Sequence, residues 1–129
     1  MFLMIIWRRK IYKSEMSGGV MTGEQLKQLS RMKKLISQGH KRFACRKDRD
    51  YLQELLDIGI TEEAAWNEIL TLSAQNYVYD YKPFYEKMGD DALTFKKMIN
   101  GYKVYIKIKL EKYNNKGITV CLSFHIDYR

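Results

Sequence analysis

Cysteine, histidine and proline are all scarce in this chain: two, two and one among 129 residues. The two cysteines, Cys45 and Cys121, have neither the number nor the spacing of a disulfide framework or a zinc site, so they read as reduced thiols of a cytoplasmic protein. His40 and His125 lie far apart, with no carboxylate at ligand spacing such as H-E-x-x-H, so neither a metal nor another cofactor is implied. Long apolar runs are missing too. Met1–Trp7 is too short to span a bilayer, and Arg8, Arg9 and Lys10 follow it instead of preceding it, so neither a signal peptide nor a membrane partner is expected. Residues 1–21 read as a flexible arm, an extra strand, or a stretch upstream of the true start, with Met16 and Met21 as alternative initiators. There is no internal repeat or low-complexity tract. Residues 22–129 then form one domain, long enough to bury a core without staples.

Charge, by contrast, is abundant and segregated. The 23 Lys and Arg against 15 Asp and Glu leave a formal charge of +8. Residues 33–49 hold seven cations and one anion, residues 54–80 six anions and no cation, and residues 96–116 again seven cations and one anion. Two such basic stretches suit a polyanion, although a solvated, charge-balanced surface fits the same composition.

Thr22-Gly-Glu-Gln25 has the form of a capping box, and Leu26, Leu29, Met32 and Ile36 recur at helical spacing until Gly39. A short strand is expected over 41–46, then a helix capped by Asp48 with Tyr51, Leu52, Leu55 and Leu56 on one side and Gly59 at its end. Thr61-Glu-Glu opens a third helix through Ala65, Trp66, Ile69 and Leu72. Residues 76–87 are rich in aromatics, and their only proline, Pro83, pushes Lys82 towards an extended backbone. Leu93–Ile99 reads as a strand, and Asn100-Gly101 is a strong two-residue hairpin signal. Helices first and strands afterwards predict an α+β fold, N-terminal helices packed on a C-terminal antiparallel sheet.

The last two strands sort their chemistry by face. Val104, Ile106, Ile108 and Leu110 alternate with Tyr105, Lys107 and Lys109; Ile118, Val120, Leu122, Phe124 and Ile126 alternate with Thr119, Cys121, Ser123 and His125. The Asn100-Gly101 turn sets Phe95 opposite Ile106 and Lys96 opposite Tyr105. A five-residue loop over 113–117 then pairs Leu110 with Val120, Ile108 with Leu122, Ile106 with Phe124 and Tyr105 with His125. Lys96, Tyr105 and His125 are therefore expected in one row, with Lys107 and Ser123 one step along. Lys97 falls on the apolar face, which an edge strand and a snorkelling side chain would tolerate.

Metal-free RNA cleavage needs a base for the 2′-hydroxyl proton, an acid for the departing 5′-oxygen, and cations for charge growing on the phosphoryl oxygens. Histidine changes charge near neutral pH, which suits His125 to the acid role. Tyr105, between Lys96 and Lys107, reads as base or orienter. Lys82, Lys96 and Lys107 supply cations, Lys109 extends the basic face, and Tyr77, Tyr79 and Tyr81 offer rings on which unpaired bases stack. Plainer readings stand beside these. A single histidine on a polar strand face is commonly a surface residue, edge lysines guard against aggregation, and the tyrosines equally suit a core lining. A non-catalytic RNA- or DNA-binding module and an interaction protein docking a basic partner on its acidic helices remain alternatives.

Four segments, Leu29-Ser-Arg-Met-Lys-Lys-Leu-Ile36 with Gly39, Ile69-Leu-Thr-Leu-Ser73, Gly101-Tyr-Lys-Val-Tyr-Ile-Lys-Ile108 and Cys121-Leu-Ser-Phe-His125, together resemble the MqsR family of toxins from bacterial type II toxin–antitoxin pairs. The resemblance runs from about residue 22 to residue 127. It implies a RelE-like α+β fold, cleavage of mRNA, and a cognate antitoxin as partner. The family's catalytic tyrosine, in its V-Y-[LI]-K-I strand, falls on Tyr105. Its lysine after the L-S pair falls on Lys82 if a short insertion near Tyr79-Asp80 is allowed. A polar residue after an aromatic falls on Lys96, and the lysine after the terminal S-F falls on His125. That departure matters, since a histidine shuttles a proton at neutral pH where a lysine mainly stabilises charge.

Overall fold

The computed structural model describes residues 20–79, 92–113 and 115–128. Within them the order is helix α1 (Gly23–Ser37), strand β1 (Lys41–Phe43), helices α2 (Tyr51–Ile58) and α3 (Glu62–Leu70), a 3-10 turn (Ala74–Asn76), and strands β2 (Leu93–Ile99), β3 (Tyr102–Tyr113) and β4 (Lys116–Ile126). The class is α+β, as expected. The sheet, however, is mixed and ordered β1-β4-β3-β2: the three C-terminal strands are antiparallel, and β1 joins β4 in parallel from the helical half.

Local chemistry explains the helix ends. Thr22 and Gln25 close a reciprocal capping box on α1, and Thr61 caps α3 by accepting from the Ala64 amide. The cap of α2 is Asp50, which accepts from Leu52 and Gln53, and not the expected Asp48, which pairs instead with Arg46. Gly59 ends α2 at φ +87°, a left-handed position that favours glycine. Of the expected apolar side of α2, Leu55 is buried and Tyr51 partly buried, whereas Leu52 and Leu56 are 56% and 69% exposed; Ile58, outside that set, is buried.

The core lies between the helices and one sheet face. Met32, Ile69, Phe95, Ile106, Ile108 and Phe124 are fully or almost fully buried there, each contributing about 1.5–3 kcal/mol. Met21 is also buried in this cluster, so the packed domain includes it. Helix α1 lies across β4 closely enough that a Cβ on Gly117 would sit 3.0 Å from Leu35 Cδ1. The buried Thr119 hydroxyl donates to the Met32 carbonyl at 2.9 Å, satisfying one core polar group with another. Phe43 stacks on Tyr51 at 4.6 Å and packs against Trp66 at 4.8 Å, fastening β1 to α2 and α3.

The β2–β3 hairpin takes the expected register: Ile99 faces Tyr102, Phe95 faces Ile106 and Lys96 faces Tyr105. Asn100 and Gly101 both have positive φ, as the tight turn requires. The Asn100 side chain also donates to the Ile58 carbonyl at 3.0 Å, tying the hairpin tip to the end of α2. Lys97 does reach the helix side from this edge strand, forming an ion pair with Glu68 at 2.7 Å.

The second hairpin departs from expectation. Tyr113 pairs with Lys116, so the connection is two residues long, and Ile108 faces Cys121 while Leu110 faces Thr119. A bulge at Leu122 then adds one residue to β4, which restores Lys107 opposite Ser123, Ile106 opposite Phe124 and Tyr105 opposite His125. Below the bulge the faces are inverted relative to the expected alternation: Thr119 and Cys121 turn to the core, and Ile118 and Val120 to the other face. Burial pushes the Cys121 thiol well above its ordinary pKa.

Candidate active site

The sheet face turned away from the core carries the row. Lys96, Tyr105 and His125 are successive cross-strand partners on β2, β3 and β4, with Lys107 and Ser123 beside them. The Tyr105 and His125 rings are stacked, centroids 5.2 Å apart at an interplanar angle of 20°. His125 Nδ1 lies 3.0 Å from the Ile126 carbonyl oxygen. A carbonyl only accepts, so this contact is a hydrogen bond with Nδ1 as the donor, and Nε2 is the ring nitrogen outside it.

An aspartate outside the expected set of site residues completes the row. Lys96 Nζ lies 2.8 Å from Asp127 Oδ2, and the Asp127 side chain is only 3% exposed. The Lys96 charge is therefore matched by a neighbouring carboxylate and cannot count in full towards an incoming anion. Alternation carried two residues past His125 would have placed Asp127 on this face.

These residues border an open cleft of about 1080 Å³ between the sheet and α2. Tyr105, Lys107, Ser123 and His125 form one side, with Leu122 at the bulge. Arg46 and Arg49 supply further cations, and Asp48, Asp50, Glu54 and Asp57 stand among them. Glu54 pairs with Arg49, and Asp57 accepts from Gln53 at 2.9 Å. The cleft thus combines the Tyr105–His125 pair with cations and carboxylates interspersed along its other side.

The other expected site residues are dispersed. Lys109 lies below the bulge, bordering a separate hollow with Lys27, Arg31 and Lys112. Tyr77 is a correction: only 7% exposed, it packs edge-on against Phe95 at 5.9 Å, a core ring and no stacking platform. Tyr77 makes an isolated bridge to Phe95 on β2, and Tyr79, two residues on, is 67% exposed. Lys82 and Tyr81 lie outside the described residues, as does most of the aromatic segment. Among the described residues no three His, Cys, Asp or Glu side chains gather as a metal site, and no helix is long and apolar enough to cross a membrane.

Comparison of the chain with protein-family models, curated proteins and solved structures gave no match. The chemistry open to the site follows from its own geometry.

Proposed function

We propose that the chain is a metal-independent endoribonuclease of RelE-like type, the toxin of a type II toxin–antitoxin pair of the MqsR kind, cleaving mRNA through attack of a 2′-hydroxyl. The observation that carries this reading is the Tyr105–His125 stack, with His125 Nε2 outside the Nδ1 hydrogen bond. Tyr105 takes or orients the 2′-hydroxyl proton as the 2′-oxygen bonds to phosphorus. His125 Nε2 gives its proton to the 5′-oxygen as the P–O5′ bond breaks. The products are a 2′,3′-cyclic phosphate and a 5′-hydroxyl, and exchange with water resets both groups. Lys107, beside Ser123 in the next row, supplies charge for the phosphoryl oxygens. Lys96, held by Asp127, contributes mainly by fixing the end of β4 next to His125.

Leu52 and Leu56, exposed on the acidic helix α2, support a protein partner of basic and apolar character in the antitoxin's place. The second reading, a non-catalytic nucleic-acid-binding module, is favoured by Arg46 and Arg49, cations of the cleft that have no part in the chemistry above. End-labelled RNA separates the two. Cleavage in excess EDTA with cyclic phosphate ends is expected, whereas retention of intact RNA, or cleavage that requires added Mg²⁺, overturns the proposal.

A further inference from the structure

The first basic stretch, residues 33–49, has no part in the chemistry just described, and the fold divides it. Lys33 turns to the helix side, where its ammonium donates to the Leu72 carbonyl, and partial burial together with the Lys97 charge lowers its pKa. Lys41 lies over the Trp66 ring at 6.0 Å. Arg42 crosses to Glu111 on the outer face at 3.0 Å. Lys34 is exposed on α1, and the remaining three cations, Arg46, Lys47 and Arg49, are gathered in one tight turn that Arg46 and Arg49 close by a β-bridge.

Among the described residues, that turn sits where β4 loses its neighbour. Strand β1 pairs with β4 only through Cys121, and its last backbone bond runs from the Ala44 amide to the Cys121 carbonyl at 2.9 Å. One residue further, Arg46 Nη1 donates at 3.4 Å to the carbonyl of Leu122, the bulge residue. The turn is thereby anchored beside Ser123 and His125, and Arg46 and Arg49 border the same cleft. Arg46 pairs with the exposed carboxylate of Asp48, and Arg49 with the partly buried carboxylate of Glu54. The solvent-screened Arg46–Asp48 pair is worth only about 0–1 kcal/mol, so a phosphate displaces it at little cost. The carboxylates on the α2 side repel a polyanion and so confine it to the β4 edge.

We infer that the Arg46-Lys47-Asp48-Arg49 turn is the phosphodiester-binding subsite that carries single-stranded RNA away from the Tyr105–His125 pair along the edge of β4. This inference rests on the endoribonuclease reading for its ligand, yet it concerns binding and not chemistry. The probe is therefore a fully 2′-O-methylated RNA 12-mer, which lacks the nucleophile and cannot be cut by this route. Its affinity is measured from 50 to 300 mM salt for the parent, Lys47→Glu, the Arg46→Glu/Lys47→Glu double variant, and Lys34→Glu as a control on α1. Each lost phosphate contact reduces the log–log salt slope by about 0.7. The double variant should lose about two contacts and bind at least about tenfold more weakly at 100 mM salt, with Lys47→Glu intermediate and Lys34→Glu close to the parent. A parental slope in the double variant, an equal loss in Lys34→Glu, or no binding by the parent overturns the subsite. If the double variant unfolds, Lys47→Glu alone decides, because its side chain is exposed in the turn: a reduced slope supports the subsite and a parental slope overturns it. Unmodified RNA run in parallel scores the other reading separately: tight binding that depends on the turn, without cleavage, retains the subsite and removes the nuclease.

Discussion

Replacing Lys96 by methionine should cost far more stability than an ordinary strand lysine would. Its partner Asp127 keeps only 3% of its side chain exposed, and Lys96 itself 25%. Removing one member of a buried pair deprives the other charge of that compensation, a loss of about 3–5 kcal/mol when both are fully enclosed. The quarter exposure of Lys96 places this site near the low end, at about 3 kcal/mol, or ~10 °C in Tm for a domain of this size. Asp127→Asn should cost about 1 kcal/mol, because the lysine it releases can reach water. The double variant should be little worse than Asp127→Asn, giving a coupling energy of about 2 kcal/mol. Urea titrations of the four proteins at pH 7 provide the cycle. If Lys96→Met changes stability by less than about 0.5 kcal/mol, or the two substitutions simply add, the pair does not hold the end of β4, and Lys96 must be reassigned to the substrate.

Three further expectations concern the thiols and the tyrosine. Ellman's reagent should modify exposed Cys45 at once and buried Cys121 only on unfolding; two fast thiols would contradict the inverted face below the bulge. Because the folded Cys121 thiol titrates above its unfolded value, its contribution is fully present below about pH 8.5 and is lost as pH rises beyond it. Stability should therefore fall from pH 8 to pH 10, less steeply in Cys121→Ala, and equal slopes would refute the assignment. Tyr105→Phe should lower single-turnover cleavage by about 10²–10⁴ with RNA affinity little changed, whereas a parallel loss of affinity would make Tyr105 a binding contact.

The row is legible in the sequence because short-range chemistry dictates it. Asn100-Gly101 admits one tight turn, and two-residue periodicity then places Lys96 and Tyr105 without ambiguity. His125 reaches the expected position by a different route: a one-residue error in the Tyr113–Lys116 connection is cancelled by the extra residue at Leu122. Alternation alone gives no sign of a bulge, which is why it sets Thr119 and Cys121 on the wrong face. Their burial depends on the Met32 carbonyl and the close approach of α1 at Gly117, both long-range. The parallel pairing of β1 and the arrival of Arg46 beside the cleft are long-range as well. Asp127 differs in kind, since its position follows from the strand pattern. Leu52 and Leu56 show the limit of helical periodicity: it groups apolar residues on one side without saying whether anything covers that side.

The role of His125 as the acid can be isolated by changing the leaving group. In RNA whose scissile 5′-oxygen is replaced by sulfur, the departing thiolate needs no proton, so general acid catalysis has nothing to contribute. His125→Ala should therefore cleave ordinary RNA about 10²–10⁴ times more slowly than the parent while cleaving the sulfur-substituted RNA at close to the parental rate, both in EDTA. An equal defect on both substrates, or no defect on ordinary RNA, would contradict the assignment of His125 as the group that protonates the leaving oxygen.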